Sequence, residues 1–500
     1  MYGGDSMKDR SLLQALILGL GQITSKILSL IFIFRFSKDL GQDGMSIYAY
    51  TYVPFSILAD LSTFGFIPGT SKLVSKLKSE NEELKISYLY KKGIKLGFII
   101  GLIFFIFMFI FSSQIIKISL FEGIDNNTFN IVRRNLILAS ISLFLIPVNN
   151  FLRGFLQGHM KMYPTAISLI IEHILKIVLY LLLITKIKDD NIISFVFILY
   201  FLCYLSSFMI LIIFAYNIRT KEYKRFSVYK TLFKLCIPFG IATLFFTLYQ
   251  FIDTVTLSIL LPVEGYYTAF MFENIRLIFF PIVIAQALGG MLNPKINYLY
   301  KENKQEEVNE LALKCTNLII NILIPLTIIM KLFSNEIYNL FYHQNNGGLI
   351  LGQISILIIF FGLYKVLLGL SMNLNRSHYL IIATLISSIA KILLNIFLIK
   401  RFGYIGAMYS TIIAVSICLL SAYYVLYKEN IKILLPNILM IIKTVIISLI
   451  SSVIAIYFQI FFSLDNYPTY LGIFLFSTLI LGLCYIFSEM INFMNRLSIK

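Results

Sequence analysis

Charged residues are scarce in this chain of 500 residues: they make up 13% of it, against 58% hydrophobic residues and a mean hydropathy of +0.84. A chain of this length would ordinarily form about three soluble domains, but so little polar surface excludes a globular fold in water. Cysteine is sparse as well. Cys203, Cys236, Cys315, Cys418 and Cys484 lie in or beside apolar segments with no CxxC pair, which excludes a disulfide framework or a cysteine metal site and leaves small core residues. The four histidines (His159, His173, His343, His378) form no HExxH, and no glycine is followed by lysine. A metal-dependent protease motif and a GxxxxGK[ST] phosphate loop are therefore excluded, and with the latter a built-in ATPase. The N-terminal residues before the first apolar stretch lack a short h-region and cleavage site, so that stretch is expected to be kept as a membrane helix.

What the sequence has instead is long runs of Ile, Leu and Phe, each near the ~20 residues needed to cross a bilayer core of roughly 30 Å. Strands of an outer-membrane barrel would be about 10 residues long and alternating; these runs are neither. The expected fold is an all-α polytopic membrane protein with fourteen spans, among them 135–152, 349–372, 436–460 and 470–488.

The net charge of +17 would suggest nucleic acid in a soluble chain. Its distribution reports topology instead. With the N-terminus inside, the inner segments hold 24 Lys and Arg, including Lys72, Lys76, Lys78, Lys85, Lys91, Lys92, Arg153, Lys224 and Arg225, while the outer loops hold eight. By the positive-inside rule both termini are expected in the cytoplasm.

An internal repeat organises the spans. Shifting residues 72–91 by 223 places Lys72 on Lys295, Lys78 on Lys301, Glu83 on Glu306 and Lys91 on Lys314. A second block, Ile174–Ile184, falls on Ile389–Ile399 with a shift of 215 and six identities in eleven, and aligns Lys176 with Lys391. Two six-helix lobes in parallel orientation follow, an N-lobe over 11–216 and a C-lobe over 231–428. They are joined by a cytoplasmic linker over 217–230 and followed by two further helices within 436–488.

An ionisable side chain at the bilayer centre costs about 2.5–3.5 kcal/mol, so one that persists there should face a cavity or a partner. The interior candidates are Lys26, Arg35, Lys176, Arg276, Lys365 and Lys391 against Asp60, Glu172, Asp253 and Glu273, a balance of +2 that favours an anionic substrate. Simple structural roles compete with this. Glu172 and Lys176 are four apart and can neutralise each other, Glu273 and Arg276 are three apart and can do the same, and Asp253 lies toward the outer part of its span. Arg276 is the better phosphate ligand, because its planar fork holds two oxygens at once. Pro54, Pro147, Pro238, Pro281 and Pro325 interrupt spans. Pro54 and Pro281 break equivalent helices of the two repeats and are the candidate hinges.

The stretches Leu61–Lys76, Pro164–Ile177 and Gly403–Thr411 resemble signature segments of the stage V sporulation protein B and MurJ-like polysaccharide transporters. These belong to the multidrug, oligosaccharidyl-lipid and polysaccharide (MOP) flippase superfamily. The resemblance extends over residues 11 to about 430. It implies export of an undecaprenyl pyrophosphate-linked sugar, typically the peptidoglycan precursor lipid II, across a bacterial plasma membrane by alternating access, without a cofactor but with a coupling cation or the membrane potential as energy source. Membrane lipids and cell-wall synthesis enzymes are the partners it implies, in vegetative growth or sporulation. The segment Arg276–Pro281 is similar to the family's eighth-span pattern, and Lys26 stands where a basic cavity residue is found. Phe32 and Leu58 with Ala59 stand where family members carry arginines, which points to the sporulation-type branch. On these residues Arg276 and Lys26 would bind the pyrophosphate, with Lys176 and Lys391 supporting it or pairing with nearby carboxylates. Asp60, Glu172, Asp253 and Glu273 would serve as charge partners or in ion coupling. Cation-coupled multidrug efflux is the rival within the superfamily. A membrane glycosyltransferase is the rival outside it, although the outer connections near 117–134 and 335–348 are short and carry no clustered carboxylates.

Overall fold

A computed structural model describes residues 4–119, 125–188, 191–216, 218, 222–261, 265–343, 347–371, 374 and 378–431, and beyond them 441, 442, 444–446, 448, 449 and 452. The last expected span, 470–488, and Cys484 lie outside the described residues, as does most of 436–460. Among the described residues all regular structure is helical, as it must be where lipid offers no partner to a backbone N–H or C=O. Among the described residues eight helices are long and apolar enough to cross a membrane, or ten if each of two bent pairs is one span.

The chain forms two compact units, one of residues 1–272 with 377–414 and the other of 273–376 with 415–500. The first unit begins with α1 (Gly4–Thr63), α2 (Phe66–Ser79) and α3 (Glu83–Ile110), followed by the short α4 (Ser112–Ser119). It continues through α5 (Asn126–Leu143), α6 (Ile146–Gly158), α7 (Tyr163–Leu183), α8 (Ile192–Tyr216) and α9 (Val228–Leu260). The start of α10 (Gly265–Lys301) and, later in the chain, α15 (His378–Phe402) and the first part of α16 (Tyr404–Lys428) complete it. The second unit holds the rest of α10, then α11 (Gln305–Leu332), α12 (Ser334–Tyr342), α13 (Gly348–Ile354), α14 (Leu357–Ser371) and the end of α16.

A straight helix over the continuous apolar stretch Leu13–Ser79 would be about 100 Å long, three times the hydrocarbon core. The chain avoids this at Gly41, whose φ of 64° and ψ of −171° break α1 into two arms, and at Gly65, where φ is 73°. Both conformations are open to glycine at little cost. Elsewhere the breaks come from side chains. Pro147 restarts the chain as α6. The expected span 349–372 is two helices bent by 47°, at a buried Ser355 whose hydroxyl bonds back to the carbonyl of Gly352 at 2.8 Å, a bond that bends helices.

The core of the first unit lies where α2, α3, α6 and the near ends of α8 and α9 meet, around Phe66, Leu73, Phe151, Phe155 and Leu232. Helix α3 reaches α5 and α6 through Gly93, Gly97 and Gly101, spaced by four on one face. A side chain on any of them would meet Phe151, Val148 or the backbone at Phe144, the small-residue device of membrane helix pairs. The outward faces are apolar, with Phe397 72% exposed and Leu182 65% exposed, which requires lipid around them.

Candidate functional site

Helix α6 is the first departure from the sequence reading. Its buried stripe of Val148, Phe151, Leu152, Phe155 and Leu156 continues at helical spacing to the end of the helix at Gly158, so Arg153 is a buried residue of a helix and not part of a loop. Its guanidinium is buried. Nη2 donates to Oε1 of Glu172 on α7 at 2.5 Å and to Ser207 on α8 at 3.1 Å, and Nε reaches Ser168 at 3.4 Å. The partner expected for Glu172 was Lys176, four residues on; the bond that the structure shows is to Arg153. The physical reason is geometric, since a fork can satisfy a carboxylate and two hydroxyls together, which suits a site with little water.

Lys176, buried on the same helix, lies with its ammonium 4.6 Å from the ring centre of Phe32 and 5.0 Å from that of Tyr200. Around it is an aromatic nest: Phe32 stacks on Phe36, Phe36 and Phe32 each meet Tyr180 edge-on, and the hydroxyls of Tyr48 and Tyr200 are 2.8 Å apart. The negative faces of such rings stabilise a cation out of water.

Lys391 on α15 is fully buried, with 0% exposure. Its ammonium is 2.6 Å from Oδ1 of Asp253 on α9, donates to Thr411 on α16 at 2.5 Å and reaches Ser410 at 3.4 Å. Asn395, one turn on, donates to Asp253 at 2.9 Å and to Thr256 at 2.7 Å, and accepts from Ser410. Asp253, expected toward the outer part of its span, is 4% exposed at the centre of a bonded cluster that ties α9, α15 and α16 together.

Several of the remaining candidates are more open. Lys26 on α1 is exposed. Arg35, counted among the interior cations, is instead 46% exposed and bonded to Asp39 at 3.1 Å; Asp39 also accepts from Tyr180 at 2.9 Å. Asp60, exposed near the end of α1, accepts from Thr247. In the second unit Glu273 is buried, takes a hydrogen bond from Tyr338 at 2.5 Å and accepts at its carbonyl from Tyr342 at 3.0 Å. Arg276, one turn further along α10, is half-buried. Lys365 donates to Gln286 at 3.3 Å. Pro54 and Pro281 are buried inside α1 and α10. With Arg153 and Asp39 added to the interior groups and exposed Arg35 removed, the cations keep an excess of one. Among the described residues no three of His, Cys, Asp and Glu come together to hold a metal ion.

The comparisons with known proteins agree with an all-helical membrane fold. Residues 11–285 match the profile of the polysaccharide biosynthesis proteins. The chain belongs to that family. It is 26% identical over 440 residues to lipid II flippase MurJ of Bacillus subtilis (strain 168), covering 81% of this chain and 80% of that protein. It is 30% identical over 169 residues to the uncharacterized membrane protein YabM of the same organism, covering 33% of this chain and 29% of that one. Among solved structures, lipid II flippase MurJ in an inward closed conformation superposes with a TM-score of 0.66 at 17% identity, over 96% of this chain and 99% of that one. An outward-facing multidrug resistance MATE family transporter of the MOP superfamily gives 0.67 at 13% identity, over 84% and 95%. The fold of this family member is therefore that of the MOP transporters, and the chain is a multi-pass membrane protein.

Proposed function

We propose that this polysaccharide biosynthesis family member is a flippase that carries an undecaprenyl pyrophosphate-linked oligosaccharide, lipid II or a related precursor of peptidoglycan or spore cortex, across the bacterial plasma membrane by alternating access. The observation that carries the reading is the excess of cations within the membrane helices of a MOP-type fold. Pyrophosphate is the part of such a substrate most costly to take through lipid, and a cationic interior offsets that cost. Burial ranks the candidates. Lys391 is sealed in its pair with Asp253 and holds helices together, whereas exposed Lys26 and half-buried Arg276 can meet a headgroup directly, with Lys176 in support. Asp60, Glu172, Asp253 and Glu273 balance these charges, and Pro54 and Pro281 permit the bending. Both termini are placed in the cytoplasm, and the membrane potential, about 2.3 kcal/mol per charge at 100 mV, or an ion gradient biases the two states.

The similarity to lipid II flippase MurJ over four-fifths of both chains supports this substrate class. In cells whose precursor export depends on this chain, Arg276→Ala is expected to lower outer-leaflet lipid II at least tenfold, with a smaller loss for Lys26→Ala. Unchanged exposure in Arg276→Ala removes the assignment of that residue, and resistance to cationic drugs conferred by the wild-type chain would favour efflux instead.

A further inference from the structure

On the open side of α3, a groove of about 500 Å³ runs between that helix and the break between α5 and α6. Its α3 wall is Lys91, Ile94, Lys95, Phe98 and Leu102, with Ile99 beside them, and its floor is Phe144. The spacing of three and four residues puts these on one stripe of α3. The groove exists because the other face of α3 is drawn against α5 and α6 by Gly93, Gly97 and Gly101, while the chain turns from α5 into α6 at Phe144 and leaves that ring in the floor, 5.1 Å from Phe98.

The groove is polar at one end only. Lys91 and Lys95 stand there, with Lys91 over the ring of Tyr223 at 5.4 Å and Lys92 over that of Tyr88 at 5.6 Å. No carboxylate is among the groove's lining residues, and nearby Glu82 is engaged by Lys85 at 2.8 Å and by Lys224 at 4.0 Å. Tyrosines beside lysines at one level are the pattern of a membrane–water interface. From Lys91 to Leu102 the stripe is about 16 Å long, half of a hydrocarbon core of roughly 30 Å, which is the depth of one leaflet. Beyond it Ile103, Ile106 and Ile110 continue exposed and apolar.

We infer that this groove binds an anionic phospholipid of the surrounding leaflet, its phosphate on Lys91 and Lys95 and one acyl chain along Ile94, Phe98 and Leu102 over Phe144. The occupant is a membrane phospholipid because the stripe runs about 16 Å from the lysines through the depth of one leaflet, and an anionic one because two lysines with no lining carboxylate close its head. The site is separate from the residues assigned to the transported precursor. Its lipid bridges α3 to the α5–α6 break.

The test is native mass spectrometry of the full-length protein released from nanodiscs of phosphatidylcholine with added phosphatidylglycerol. Lys91→Gln with Lys95→Gln is expected to lower retained phosphatidylglycerol about 30-fold, from two basic residues at an anionic surface. Leu102→Trp, which fills the groove and leaves both lysines, is expected to lower it at least fivefold. Lys117→Gln with Arg133→Gln, outside the groove, is expected to change it less than twofold. Equal retention by the lysine variant and the wild type overturns the site. Full retention by Leu102→Trp overturns the groove, since only surface attraction would remain. Displacement of phosphatidylglycerol by equimolar undecaprenyl phosphate overturns the choice of occupant.

Discussion

Lys176 on α7 and Lys391 on α15 stand at matching points of the internal repeat, yet the two surroundings differ in kind. Helix α7 packs on α1 as α15 packs on α9, and each lysine lies over a ring on that neighbour, Phe32 at 4.6 Å and Tyr249 at 5.5 Å. One turn beyond the ring the copies diverge. The residue after Tyr249 by four is Asp253, which takes the ammonium of Lys391; the residue after Phe32 by four is Phe36, a further ring of the nest. Glu172, one turn before Lys176, is committed to Arg153, and its counterpart by the repeat shift is Ser387, which accepts from the hydroxyl of Tyr249 at 2.5 Å. The same pairing of a lysine with a ring on the neighbouring helix thus makes a cross-brace at Lys391 and leaves Lys176 a cation among polarisable rings.

The largest expected effect tests the brace. Lys391→Met leaves Asp253 buried without its counter-ion and is expected to destabilise the protein by about 3–5 kcal/mol, as is Asp253→Leu, while the double variant recovers most of the loss because the desolvation cost disappears with both charges. Thermal unfolding in detergent reads all three, and additive losses in the double variant would break the comparison. Arg153→Met should cost somewhat less, about 3 kcal/mol, since its pair with Glu172 is slightly open at 8% and 10% side-chain exposure; Arg153→Lys should rescue it only in part, lacking the fork.

Lys176→Met sharpens the contrast. Cation–π contacts contribute about 0.5–2 kcal/mol, partly replaced by the packing of the new side chain, so the melting temperature should move little while precursor export falls severalfold. A variant that unfolds like Lys391→Met, or one that exports normally, would make the two lysines equivalent after all. The smallest change is Tyr249→Phe, which keeps the ring over Lys391 and removes one hydroxyl bond, for about 1 kcal/mol.

Much of this was legible in the sequence. The apolar runs give the helices, and the aligned Lys176 and Lys391 are two of the charges buried among them. Arg153 was missed because it follows directly on an apolar run and looks like the first residue of a loop. The signal that recovers it is the stripe 148, 151, 152, 155, 156, which continues at helical spacing past the arginine. The burial of Asp253 was not legible for a related reason: its partners on α15 and α16 come from more than a hundred residues away, and only packing brings them together. The bend at Ser355 has no proline to announce it, because serine bends a helix through one hydrogen bond that most membrane serines make without visible consequence.

The central claim is that the cationic interior carries a lipid-linked pyrophosphate. Purified protein reconstituted in proteoliposomes, with lipid II placed in one leaflet and its appearance in the other followed under an imposed membrane potential, tests it most directly. Translocation is expected in the wild type, with a loss of at least tenfold in Arg276→Ala and retention in the Asp253→Leu with Lys391→Met double variant. Translocation no faster than in protein-free vesicles, or equal rates in wild type and Arg276→Ala, would contradict it.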